Sequence, residues 1–139
     1  MSTVTTSRLV KSEDLNHHGT LFAGRVAEWF VETCFICGAK LTGKPENIVC
    51  LKIHGLTFTE PATKGDVLNL QARLARVGRT SFSVYGKITK NNSDHILSDG
   101  FITFVFVDEK GKPIPHNIVL GDPVDEEDEQ IRKRAENLK

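Results

Sequence analysis

The chain has no surplus charge of either sign: 18 basic and 18 acidic residues cancel over 139 positions. Its one basic block is Arg132-Lys133-Arg134, too short for a nucleic-acid surface, so nucleic acid is excluded as the main partner. No apolar run approaches the ~18 residues of a membrane span. The opening MSTVTTSRLVKSEDL lacks the apolar core of a signal peptide. Cysteine is scarce: Cys34, Cys37 and Cys50 are an odd number in apolar segments. The Cys34/Cys37 spacing invites a redox or metal reading. A redox pair, however, wants a hydrophilic, accessible helix start, and zinc wants more ligands than lie nearby. Reduced, packed thiols, a cytoplasmic compartment and no metal site are therefore expected.

What is present suits one domain, residues 1–139, with a modest core; 39% of residues are hydrophobic. Residues 1–6 are small and polar and are expected to fray, and 117–139 to form a peripheral tail. The most informative stretch is Asn16 to Cys37. A polar, Gly-punctuated loop there enters a long apolar segment that also carries Arg25, Glu28 and Glu32. Its apolar residues occupy nearly every face of a 3.6-residue period, so the pattern predicts a buried helix, capped by Thr20 and running to about Lys40. Carboxylates in such surroundings need a partner or a job.

The periodicity elsewhere is that of strands. A short strand is expected over 8–11, and longer ones over 48–58, 68–74, 81–88 and 95–107, with Val77-Gly78-Arg79 as a hairpin connection. After Pro115 the chain reads as irregular, 123–129 as a solvated acidic run, and 132–139 as a short exposed helix. A helix apolar on all sides needs a sheet curled around it, a second subunit, or both, so the chain should oligomerise, most simply as a C2 pair.

Asn16, Gly19, Leu21, Phe22, Gly24, Arg25, Val26, Glu28 and Trp29 form the pattern N-x-x-G-x-L-F-x-G-R-V-x-E-W. Downstream come Leu56-Thr57-Phe58-Thr59-Glu60-Pro61, Gly65-Asp66-Val67, Val77-Gly78-Arg79-Thr80-Ser81 and Phe104-Val105-Phe106-Val107-Asp108. In this order and spacing the chain resembles the hotdog-fold acyl-CoA thioesterases, nearest their cytosolic acyl-CoA hydrolase branch. The resemblance implies an α+β fold in which a curved antiparallel sheet of about five strands wraps a long central helix. It further implies homodimers, in some members trimers of dimers, with active sites between subunits. The reaction would be hydrolysis of acyl-CoA to free acid and CoA, with no cofactor. One departure stands out: where the branch usually has an acid, this chain has Val31, and Glu32 follows.

The resemblance assigns the catalytic carboxylate to Glu32, the loop asparagine to Asn16, and an oxyanion-binding helix start to Gly24, whose missing side chain would admit the acyl carbon. Glu32, if desolvated, would be tuned toward a general base; the plain alternative is a buried ion pair or an interface hydrogen bond. Asn16 alone reads as a turn-former, and His17 and His18 as loop structure. Arg25 and Glu28 are spaced to pair on one helix edge. Arg79, Thr80 and Ser81 offer a guanidinium, hydroxyls and turn N–H groups suited to CoA phosphates, with Lys87 and Lys90 nearby. The plain alternative is a hairpin with a solvated arginine. Two further functions stay open on the same fold: a non-hydrolytic acyl-CoA binder or sensor, motivated by Val31, and a hydratase or dehydratase using His17 or His18 with a glutamate. Acyl-chain preference is not legible.

Overall fold

Trp29, Phe30, Thr33, Cys34, Cys37 and Gly38 recur at three- and four-residue spacings, and they form the buried stripe of one long helix, α1, Ala23–Thr42. The structure, a computed structural model, describes residues 3–139. Strands β1 (Val4–Leu9), β2 (Ile48–His54), β3 (Val67–Val77), β4 (Ser81–Lys90) and β5 (Ile96–Phe106) make one antiparallel sheet in the order β1-β3-β4-β5-β2. α1 lies across its inner face, mainly on β3 and β4. Gly86 sets how close it lies, because a Cβ there would stand 2.5 Å from the Phe30 ring and 2.9 Å from the Cys34 sulfur. This is the α+β hotdog arrangement.

Several boundaries move for identifiable reasons. The first strand begins at Val4, not Arg8, so the expected fraying fails from Val4 onward; Val4 to Leu9 pair in register with β3. Met1 and Ser2 lie outside the described residues. Thr20 does not cap α1: Phe22 occupies the N-cap and supplies no side-chain bond. The helix stop is as expected, with Gly43 left-handed at φ 70° and its N–H donating to the Ala39 carbonyl at 2.8 Å. β2 ends at His54 rather than Phe58, because Gly55 turns at φ 59° and the chain leaves the sheet.

The C-terminal expectations are corrected more fully. A second helix, α2 (Glu126–Glu136), starts earlier than 132 and is not merely exposed. Ile131 and Ala135 are buried with Ala75, Tyr85 and Phe101 on the sheet's outer face. The acidic run is not a solvated tail. Asp125 caps α2 by accepting from the Asp128 N–H at 2.8 Å, and Glu127 binds Arg73 and Lys87. Lys87 and Lys90 thereby have internal partners, Lys90 with Asp66 at 4.0 Å.

The expected burial of α1 on every face is not met within one chain. Phe22 is 55% exposed, and Val31, Phe35 and Ile36 are half-buried. The edge strand β2 likewise presents Val49, Leu51 and Ile53 to solvent. Among the described residues no helix is long and apolar enough to cross a membrane.

Candidate functional site

The loop before α1 is built by one side chain. Asn16 Oδ1 accepts from the His18 N–H at 2.8 Å and the Thr20 N–H at 3.2 Å, while Asn16 Nδ2 donates to Thr20 Oγ1 at 3.1 Å. Thr20 is thus engaged by Asn16, which is why it is not available as a cap. Gly19 takes φ 78° at the turn, and Leu15 and Leu21 bridge across it. His17 and His18 stay exposed, their rings 3.9 Å apart.

α1 therefore starts without a side-chain cap. The Phe22 carbonyl accepts from the Arg25 and Val26 N–H groups, while the Ala23 and Gly24 N–H groups have no partner among the described residues. Two free donors at the positive end of a twenty-residue helix are suited to a carbonyl oxygen gaining charge. Gly24 makes room here for a different group than expected. A Cβ on it would stand 2.5 Å from the Phe22 ring, so the glycine lets that ring fold over the first turn.

Asn16, Thr20 and Ala23 line a cleft of about 330 Å³ with Phe58 and Glu60. Leu21, Val26, Phe58 and Glu60 also border an adjoining apolar recess of about 30 Å³, closed by Leu68, Ile88 and Leu97. Glu60 is the carboxylate in this cleft, and its Oε1 lies 2.5 Å from His95 Nε2. Neither residue stood out as chemistry in the sequence. Glu60 sits inside a quoted motif, but a glutamate before proline reads as loop.

Glu32 lies elsewhere. Its half-exposed carboxylate is bound by Arg8 on β1, whose guanidinium sits 5.5 Å above the Trp29 ring. The dry surroundings expected for it are absent within one chain. Val31, one position earlier, is half-buried against the core. Arg25 does reach Glu28, at 3.7 Å, but also the buried Asp14, at 3.5 Å, tying α1 to the preceding loop.

Arg79, Thr80 and Ser81 form a third, separate place. The Gly78 N–H donates to the Ser81 carbonyl at 2.8 Å and Phe106 N–H to that of Thr80 at 2.8 Å. Arg79 is exposed and has no acidic partner among the described residues. His116 Nε2–H donates to the Ser81 carbonyl at 2.8 Å, and its Nδ1 accepts from Ile118 N–H at 2.9 Å. Those two bonds select one imidazole tautomer and pin the segment after Pro115 to the hairpin.

The cysteines divide by burial. Cys34 and Cys37 are buried, and burial pushes both thiols up, Cys37 to about 11. Cys50, expected to be packed, is exposed on β2. No group of three His, Cys, Asp or Glu suited to a metal occurs among the described residues.

Residues 18–95 match the model of the Thioesterase superfamily. An acyl-CoA thioester hydrolase, YciA of Salmonella typhimurium, is 30% identical over 116 residues, 77% of this chain and 84% of its own. An apo-hexameric acyl-CoA thioesterase superposes with a TM-score of 0.86 at 32% identity, over 96% of this chain and 86% of that one. An acyl-CoA hydrolase of Staphylococcus aureus, solved with butyryl coenzyme A and coenzyme A, superposes with a TM-score of 0.86 at 25% identity, over 96% and 79%.

Proposed function

The chain belongs to the thioesterase superfamily, and on that premise we propose that it hydrolyses acyl-CoA thioesters to the free acid and CoA. The observation that carries this reading is the uncapped start of α1, whose Ala23 lines, with Asn16, a cleft that borders an apolar recess. A thioester carbonyl placed there accepts from the Ala23 and Gly24 N–H groups. Water adds to its carbon, the oxyanion collapses, the C–S bond breaks, and the CoA sulfur leaves with a proton. The acyl chain lies in the cleft along Leu21, Val26 and Phe58. Asn16, with its oxygen committed to the loop, orients water or the carbonyl through its remaining amide hydrogen.

The carboxylate that takes the proton from water is assigned to Glu32, the helix acid next to the family's acid position. Its half-exposure in one chain leaves it open to a neighbouring subunit's cleft. A specific observation favours a second reading for this one role: Glu60 already lines the cleft with Asn16. The CoA phosphates are assigned to Arg79, Thr80 and Ser81, the guanidinium being exposed and uncommitted. No metal or organic cofactor takes part.

The apolar edge of β2 and the half-buried outer side of α1 support a homodimer joined through β2. Further assembly into a hexamer parallels the hexameric relative. A cytoplasmic location fits the unpaired thiols. Thiol release over a panel of short, long and aromatic acyl-CoAs tests the reading. Tight acyl-CoA binding without thiol release at any chain length would replace hydrolysis by the binder that Val31 suggests.

A further inference from the structure

A second cavity, of about 420 Å³, lies on the outer side of the sheet, away from the Asn16 cleft. Lys52, His54, Arg76, Ser83 and Thr103 line it, and no aspartate or glutamate does. Four of these residues form a row. Lys52 on β2 stands opposite Thr103 on β5, Thr103 opposite Ser83 on β4, and Ser83 opposite Arg76 on β3. Directly opposed residues of antiparallel strands share a face. The row therefore places two hydroxyls between two cations, across about 14 Å at the usual strand spacing.

Two bulges create it. The pairing shifts between Cys50 and Lys52 and again between Leu74 and Arg76, leaving Leu51 and Ala75 as extra residues. Unshifted ladders would set Lys52 opposite Ile102 and Arg76 opposite Phe82, both core residues. The bulges turn both cations onto the hydroxyl row, as bulges re-aim side chains at functional positions.

The cations are also left uncommitted. On the same outer side, Glu127 takes Arg73 and Lys87, Asp128 takes Arg132, and Asp99 takes Arg134. Lys52 and Arg76 have no acidic partner among the described residues. Ser83 is buried, and its Oγ lies 2.8 Å from Thr103 Oγ1, which in turn lies 2.7 Å from His54 Nε2. Burial, then the charges of Lys52 and Arg76, hold the His54 imidazole below its ordinary value, so the pocket is positive even to its own histidine.

We propose that the row Lys52–Thr103–Ser83–Arg76 binds a phosphate or diphosphate group. A guanidinium gives two-pronged contact, an ammonium a point charge, and the hydroxyls donate to the remaining oxygens. Two sources carry that chemistry: a free nucleotide or inorganic phosphate, and, resting on the reading that the chain hydrolyses acyl-CoA, the substrate's own phosphates, which the row would share with Ser81 of the Arg79 hairpin, since Ser81 also lines this cavity.

Calorimetric titration of the full chain with inorganic pyrophosphate tests the site without reference to hydrolysis. Saturable binding is expected, weakened at least ~10-fold in the Lys52→Gln/Arg76→Gln variant, the scale of losing charge-assisted bonds. The Lys110→Gln/Lys112→Gln variant, which removes the same charge away from the pocket, should bind like wild type. Absence of saturable binding, or equal losses in the two variants, overturns the proposal. Kinetics separates the sources. A raised KM for acyl-CoA at unchanged kcat, with acyl-pantetheine unaffected, identifies the substrate's own phosphates. An unchanged KM beside lost pyrophosphate affinity identifies a free phosphate ligand.

Discussion

Arg8 on β1 grips the carboxylate of Glu32 on α1, fastening the middle of the helix to the edge strand of the sheet. The helix acid proposed for catalysis is thus also a structural tie, and the two roles separate by experiment. Glu32→Gln keeps size and a hydrogen bond but removes the base; kcat is expected to fall ~10²–10⁴-fold with KM little changed. Glu60→Gln is the paired measurement. Wild-type kcat in the Glu32 variant together with that loss in the Glu60 variant transfers the role to the cleft residue.

Loss of the tie itself should be mild. Arg8→Ala gives up an exposed pair and a guanidinium over Trp29, together about 1 kcal/mol. Urea unfolding of the variant measures it. A cost of several kcal/mol would mean that the pair is closed off from water in the assembled protein.

Asn16 holds its loop through contacts to the His18 N–H and to the backbone and hydroxyl of Thr20. Asn16→Ala removes them, at about 1–3 kcal/mol from net hydrogen-bond values, and lets the mouth of the cleft move. Asn16→Asp retains the two acceptor bonds and loses the amide donor. Expected is near-wild-type stability with reduced kcat in the aspartate variant; unchanged kcat there confines Asn16 to loop structure.

The long helix and the strands were legible because their periodicities are strong and long. The helix start was not, since two roles competed for Thr20: it has the right type for a cap, but Asn16, four residues back, claims it. α2 was readable in principle. Asp125 to Glu129 gives a capped, acidic first turn, and Ile131, Ala135 and Leu138 follow at helical spacing. The density of charge there hid the apolar stripe. The bulges at Leu51 and Ala75 leave no local mark, because register is a property of two strands together. The cleft's Glu60 likewise depends on the path taken after Gly55, which no periodicity encodes.

Asp99 links the sheet to α2. It accepts from the Tyr85 hydroxyl at 2.7 Å and from Arg134 Nη1 at 2.9 Å. Burial alone would raise its carboxyl, but the bonds to Arg134 and Tyr85 outweigh it and hold the group below the ordinary value of 3.8. A lowered folded value means the unfolded chain binds the proton more readily. The stabilisation is therefore complete above that ordinary value and is lost as pH falls through the folded one. Asp99→Asn should cost about 1 kcal/mol at neutral pH, the scale of a partly exposed pair. The gap from wild type should close in acid; a gap independent of pH would place the effect in packing instead.

Cys50 offers a readout of assembly. Burial pushes up all three thiols, but Cys34 and Cys37 are buried whereas Cys50 is exposed on the β2 edge. In the native state at mildly alkaline pH, Ellman's reagent should titrate no more than one thiol per chain, and three after denaturation. The β2 edge is also where two chains are proposed to join, so that one thiol should react slowly in the oligomer and faster as dilution releases the edge. Labelling at one rate across the dissociation range, with the oligomer verified by light scattering, would move the joint away from β2.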